Sequence, residues 1–236
     1  RVSRDDRFAI LAIRRSRALR VLPGFIAFPG GVLDDVDRAV ADEWSRRTRC
    51  RWPAPPPTFA AGTQQGAAQV AYWALVSTAL RETLEETGAR LFGSGAKVPA
   101  FETLGEDKAA CRASAGSADW FPTGCNAVLD RRLRYIGRRI TPAMFERRFD
   151  AHYFVTELFA QDTLAPAADE VEEVIFATAP ELLQSEERIA PPTRDVLRLL
   201  AGCATASNVF AGAFLPPQPD DETRARELRA LGQYPS

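Results

Sequence analysis

The sequence predicts an α/β fold built as one domain, and three observations predict it. Residues 8–13 (FAILAI) are apolar without alternation, as in a strand covered on both faces. Residues 151–158 (AHYFVTEL) and 171–177 (VEEVIFA) are rich in aromatic and β-branched side chains, which also suits strands. Between these runs, residues 67–87 carry Trp73, Val76, Leu80, Leu84 and Thr87 at helical spacing, and Gly88 supplies a C-terminal stop.

The remaining elements follow in chain order. After the first strand comes an arginine-rich turn, a short strand at 25–28, and the break Pro29-Gly30-Gly31, where the backbone must bend sharply or approach something closely. A short amphipathic piece at 39–47 leads into the proline-rich stretch 53–57. Residues 38–66 therefore read as an insertion, and the glycine- and alanine-rich 94–124 as a second, partly helical one. Another strand is expected at 133–139, with helices at 180–183 and 192–200. In the second of these, Thr193 reads as the N-cap and Asp195 as a first-turn acid. From 215 to 236 the chain reads as a peripheral tail, with a helix around 222–231.

Composition excludes several function classes. The 236 residues carry 30 basic and 31 acidic side chains, a formal net charge of −1, so no global field exists to hold nucleic acid or an anionic membrane. No run is long and apolar enough to span a bilayer, and no signal-peptide pattern opens the chain; the reading is cytoplasmic. Cys50, Cys111, Cys125 and Cys203 include no C-x-x-C pair and read as reduced thiols. His152 is the only histidine, which argues against a zinc site and against Ser-His-Asp or Cys-His catalysis. Set among strand aromatics, it reads as structural. Trp44, Trp52, Trp73 and Trp120 read as packing residues rather than base-stacking platforms.

The chemistry concentrates on the long helix. Glu82, Glu85 and Glu86 share one face, opposite the apolar stripe. Like charges at i,i+4 cost roughly 0.2–0.5 kcal/mol in an isolated helix. Arg81 can reach Glu85, yet the cluster as a whole asks for a cation. Hard divalent ions such as Mg²⁺ or Mn²⁺ take carboxylate oxygens and keep coordination positions for substrate phosphate. A solvated acidic face would account for three glutamates equally well, so the surrounding pattern must decide.

That pattern is RETLEETGA at residues 81–89, preceded far upstream by PGGVLDDVD at 29–37. Together they resemble the signature of the Nudix hydrolase family: a glycine (Gly31), an acid six residues on (Asp37), then R-E-x-x-E-E-x-G. Three substitutions depart from it: Asp37 replaces a glutamate, and Thr83 and Ala89 replace aliphatic residues. The larger departure is the separation of the halves by 43 residues, 38–80, where the signature has seven. Loop closure entropy grows slowly, about 0.6 kcal/mol per doubling of length, so an insertion between turn and helix is tolerable. A coenzyme A diphosphatase branch of the family carries a long insertion at this place. FPGGVLD, RRFDAHYF and APPT (190–193) also resemble that branch.

The resemblance implies an α/β/α sandwich with a mixed central sheet, and divalent-metal-dependent cleavage of a diphosphate. It implies that Glu85 and Glu86 bind metal, that Glu82 binds metal or acts as general base, and that Arg81 holds a carboxylate in place. The Gly31 carbonyl would complete the metal shell, and Glu170, with Glu173 as second choice, would add an acid from a later loop. Upstream, Arg15, Ser16, Arg20, Gly24 and Phe28 resemble the coenzyme A signature of CoA-cleaving members. Paired arginines suit CoA, which carries a 3′-phosphate besides its diphosphate. The implied products are 3′,5′-ADP and phosphopantetheine or its acyl form. Another nucleoside diphosphate such as NADH or ADP-ribose, or a non-catalytic nucleotide-binding module, remains open; so does a homodimer, with either insertion a candidate for its interface.

Overall fold

Strand β1 runs over Ile10–Arg15, two residues further than its apolar run, because Arg14 finds partners there. Its guanidinium bonds Glu173 (3.1 Å) and Glu187 (2.7 Å), so the charged residue continues the strand instead of ending it. The structure, a computed structural model, describes residues 8–46, 55–56, 59, 65–89, 133–146, 148–158, 164–167 and 169–230. The second expected insertion, Trp52, Trp120, Cys50, Cys111 and Cys125 lie outside the described residues. So does the side chain of Trp44. The chain divides into two units: one of 1–28, 135–155 and 168–236, the other of 29–134 and 156–167.

In the first unit β1 lies between β2 (Ile26–Ala27) and β5 (Val171–Ala177), antiparallel to both. Ile13 pairs with Ala27 and Val174, and the register shifts by a bulge after Arg14. The Ile26 N–H also donates to the Arg188 carbonyl and its carbonyl accepts from the Ala190 N–H, a parallel bridge opposite Ile189. Strands β3 (Arg134–Ile140) and β4 (Asp150–Val155) pair separately. The α/β class holds, with the described strands in two sheets rather than one. Ala12 and Ile13 are both fully buried, as the unbroken apolar run requires.

Helices close this core. Ala12, Ile26, Ile136, Leu182, Val196, Leu197 and Leu200 form one buried cluster; Leu182 comes from Ala179–Gln184 and the last three from Pro191–Ala201. The second of these helices starts one residue earlier than expected. Both Pro191 and Pro192 fit its first turn, where no N–H partner is needed, so Ala190 is the N-cap and Thr193 is buried instead. Asp195 does not serve the helix end either. It accepts from Arg139 (2.9 Å) and Arg224 (2.8 Å).

The C-terminal segment is stitched to β3. The Leu215 N–H donates to the Ile136 carbonyl, and the Gln218 amide both donates to and accepts from the Ile140 backbone at 2.7 Å. Helices Ala206–Gly212 and Asp221–Ala230 follow, the latter held by Arg224 on Asp195. His152, read from the sequence as structural, has its Nδ1 3.1 Å from the Tyr135 hydroxyl.

The second unit pairs α1 (Asp35–Arg46) with α2 (Gln65–Thr87). Trp73, Val76, Leu80 and Thr87 are buried, as the stripe predicts. The opposite face is not solvated, however, because Glu86 is only 4% exposed and Arg81 only 2%. Gly88 (φ +72°) ends the helix, and the Ala165 and Ala167 N–H groups cap its last carbonyls at Thr87 and Glu86. No helix among the described residues is long and apolar enough to cross a membrane.

Candidate active site

Helix α2 carries several of its polar residues where it meets the turn at 29–37. Ser77, Thr78, Arg81 and Glu85 recur at helical spacing on one side, with Arg81 at their centre. Its Nε and Nη2 grip both oxygens of Asp37, at 3.2 and 2.9 Å. Nη2 also donates to the Val32 carbonyl at 3.2 Å. Nη1 bridges Glu82 Oε1 at 2.9 Å and Glu85 Oε2 at 3.1 Å. Every nitrogen of the fork thus faces an acceptor, which a lysine could not arrange.

Burial alone would lower the basicity of Arg81. The hydrogen bond to Asp37 and the charges of Glu82, Asp37 and Glu85 outweigh it and hold the guanidinium above its ordinary pKa. Asp37 itself is fully buried. Ser77 Oγ donates to its Oδ1 at 3.0 Å, Thr78 Oγ1 to its Oδ2 at 3.0 Å, and the Asp34 N–H to the same oxygen at 3.0 Å.

The glycine turn is shaped by the glutamates. The Gly30 N–H donates to Glu86 Oε2 at 2.9 Å. A Cβ built on Gly31 would stand 2.2 Å from Glu82 Oε1, so no larger residue fits without displacing that carboxylate. Glu85 Oε1 is buried and has no hydrogen-bond partner. Three carboxylates, of Asp37, Glu82 and Glu85, surround the guanidinium, and a fourth, of Glu86, lies on the Gly30 N–H, so the five side chains carry a formal net charge of −3.

Similarity to a solved structure bears on the fold. A NUDIX hydrolase from Alicyclobacillus acidocaldarius matches with a TM-score of 0.67 over 92% of this chain and 94% of that one, at 28% identity. The chain folds as a Nudix hydrolase. No family model matches the sequence, which accords with a signature split by 43 residues.

Nudix hydrolases generally use divalent metals, and the donor set here suits one. It consists of carboxylate and backbone oxygens alone, fitting a hard cation such as Mg²⁺ or Mn²⁺. The unpartnered Glu85 Oε1 and the surplus negative charge fit the same ion. Among the described residues no three acidic side chains converge into a ready cage. Arg81 stands between Glu82 and Glu85, and Glu86 turns to Gly30.

Asp37, shorter than the glutamate of the resembled signature, still ties the glycine turn to its helix by reaching Arg81 with both oxygens. Sequence reading named Gly31, Arg81, Glu82, Glu85 and Glu86, and the fold brings these five together. It did not single out Ser77 and Thr78, or a buried role for Asp37. The available signal was hydroxyls three and four residues before Arg81 on the same helix.

The coenzyme A-like residues lie in the other unit. Ser16 is buried, its Oγ accepting from the Ala18 N–H at 3.3 Å and its N–H bonding the Glu170 carbonyl. Gly24 turns the chain at φ +71°, a conformation that favours glycine. Phe28 packs edge-on to Tyr153 against the core. These three build the turn. Arg15 donates from Nε to the Val21 carbonyl at 3.2 Å, and Arg20 is exposed. Glu170 sits in the turn entering β5, while Glu173 is engaged by Arg14.

Proposed function

We propose that this chain hydrolyses the diphosphate linkage of coenzyme A or an acyl-CoA, with Mg²⁺ or Mn²⁺, releasing 3′,5′-ADP and phosphopantetheine or its acyl form. The observation that carries diphosphate chemistry is the buried acidic cluster around Arg81, folded against a glycine turn in which a Cβ on Gly31 would displace the Glu82 carboxylate. The narrower choice of coenzyme A is supported by Arg15, Ser16, Arg20, Gly24 and Phe28 at their spacing ahead of that turn.

Glu85 and Glu86 would hold the ion, with Glu82 and the Gly31 carbonyl beside them; Glu170 joins the candidate ligands on sequence grounds. When bound, a divalent ion neutralises diphosphate charge and lowers the pKa of its water. Arg81 keeps Glu82 and Glu85 separated and oriented. Glu82, against the Gly31 backbone, would bind metal or accept a proton from an attacking water. Arg15 and Arg20 would meet the 3′-phosphate, where guanidinium forks bind strongly.

Incubation with CoA, NADH and ADP-ribose plus Mg²⁺, with product identification, tests the proposal. The expected product from CoA is 3′,5′-ADP. Cleavage of NADH or ADP-ribose alone would move the substrate to another nucleoside diphosphate. Tight binding without any cleavage would make the chain a nucleotide-binding module.

A further inference from the structure

We propose that Ser77 and Thr78 are positioning residues for the metal-binding glutamates, acting through Asp37 and Arg81. This inference rests on the proposed function and adds two side chains to it. The hydroxyls lie one helical turn ahead of Arg81 and meet the same carboxylate that Arg81 grips: Ser77 at Oδ1, Thr78 at Oδ2. Ser77 is fully buried and Thr78 is 6% exposed, so no water substitutes for either. The Asp34 N–H closes the remaining approach to Oδ2. Asp37 is thereby fixed from four sides, and Arg81, bound to it at two points, cannot swing.

The consequence lies at the far side of the guanidinium. Nη1 reaches Glu82 Oε1 and Glu85 Oε2 with Nε and Nη2 on Asp37. If the carboxylate turns, the fork turns with it, and the two glutamates lose their common restraint. A buried group that orients metal ligands in this way is commonly worth 10- to 100-fold in metal affinity or activity.

The two hydroxyls are not equal. Thr78 Oγ1 has one proton and two acceptors, Asp37 Oδ2 at 3.0 Å and the Ala74 carbonyl at 2.9 Å. Ser77 has a single acceptor, the Asp37 carboxylate. Its hydroxyl is the dedicated one, and its loss has the larger effect.

The test is Mn²⁺ binding to the purified full chain without substrate, followed by paramagnetic resonance of the free ion, with kcat and KM measured in parallel. For Ser77→Ala the Mn²⁺ dissociation constant is expected to rise roughly tenfold and kcat to fall by a similar factor, with KM for the diphosphate little changed. Thr78→Val gives a smaller shift in the same direction, and Thr78→Ser restores wild-type values. Unchanged Mn²⁺ affinity and kcat in both hydroxyl-deleted variants, with only a lower melting temperature, would overturn the inference while leaving the proposed function standing. Absence of Mn²⁺ uptake by the wild type would overturn both. Should Ser77→Ala show no cooperative melting, the Thr78→Val and Thr78→Ser pair decides by the same comparison.

Discussion

The guanidinium of Arg81 and the carboxylate of Asp37, 44 residues apart in the chain, form a two-point ion pair at 2.9 and 3.2 Å. The side chains are 2% and 1% exposed. Removing one partner of such a pair leaves a charge buried without compensation, which costs about 3–5 kcal/mol. Asp37→Ala should therefore lower the melting temperature by roughly 10 °C, at a few degrees per kcal/mol for a chain of this size. Asp37→Asn, which keeps an acceptor, should cost less. A thermal or urea melt checks both; an unchanged transition would show that the pair is not a structural tie.

Metal should stabilise the fold by binding its native form alone. At about 100 times the dissociation constant, this linkage amounts to about 2.7 kcal/mol. Mg²⁺ should raise the melting temperature of the wild type by several degrees, and a chelator should reverse it. In Glu85→Gln the shift should largely vanish, since the unpartnered oxygen is replaced by one arm of an amide. A full shift in that variant would remove Glu85 from the ligand set.

Gly31→Ala separates site geometry from stability. The new methyl would meet Glu82 Oε1 at 2.2 Å, the end of a flexible side chain, which can move aside. Stability should change by about 1 kcal/mol or less. Activity should fall roughly 100-fold, because displacement of a catalytic group by about 1 Å costs that much. An active Gly31→Ala enzyme would mean that Glu82 works from another position.

Arg20 tests the coenzyme A reading, since it is exposed and not needed to build its turn. Arg20→Ala should raise KM for coenzyme A roughly tenfold, about 1.4 kcal/mol. KM for dephospho-CoA, which lacks the 3′-phosphate, should hardly change. An equal effect on both substrates would place Arg20 elsewhere than at that phosphate.

His152 sets a pH dependence. Burial lowers its pKa below 6.5 against the opposing charge of Asp150, with Arg138 adding to the lowering and the Tyr135 hydroxyl facing its Nδ1. The folded chain therefore disfavours protonation relative to the unfolded one. Stability should be level in pH above about 6.5 and fall as pH drops from there towards the folded pKa. Asp150, its pKa lowered chiefly by the Arg138 hydrogen bond, acts in a separate window below its ordinary 3.8. In His152→Gln the slope just under pH 6.5 should flatten in thermal melts; a slope of wild-type size would assign it to other groups.

Much of this molecule was legible in local pattern. The unbroken apolar run placed β1, and Gly88 stopped α2 where expected, because both signals depend only on near neighbours in the chain. Charge pairing was not legible. Arg14 read as the start of a turn, yet Glu173 and Glu187, more than 150 residues away, keep it in the strand. Asp195 read as a helix-end acid, but two arginines from other elements hold it.

The acidic helix face shows the same division. The sequence by itself determined that Glu82, Glu85 and Glu86 lie together, since their spacing on one helix fixes it. Only the tertiary structure decided that the face is buried, that Arg81 stands between two of the glutamates, and that Asp37, Ser77 and Thr78 hold Arg81 there. The reason is physical. A helix reports which residues share a side, whereas the desolvation that makes one ion pair structural and leaves one carboxylate oxygen open depends on what folds against that side.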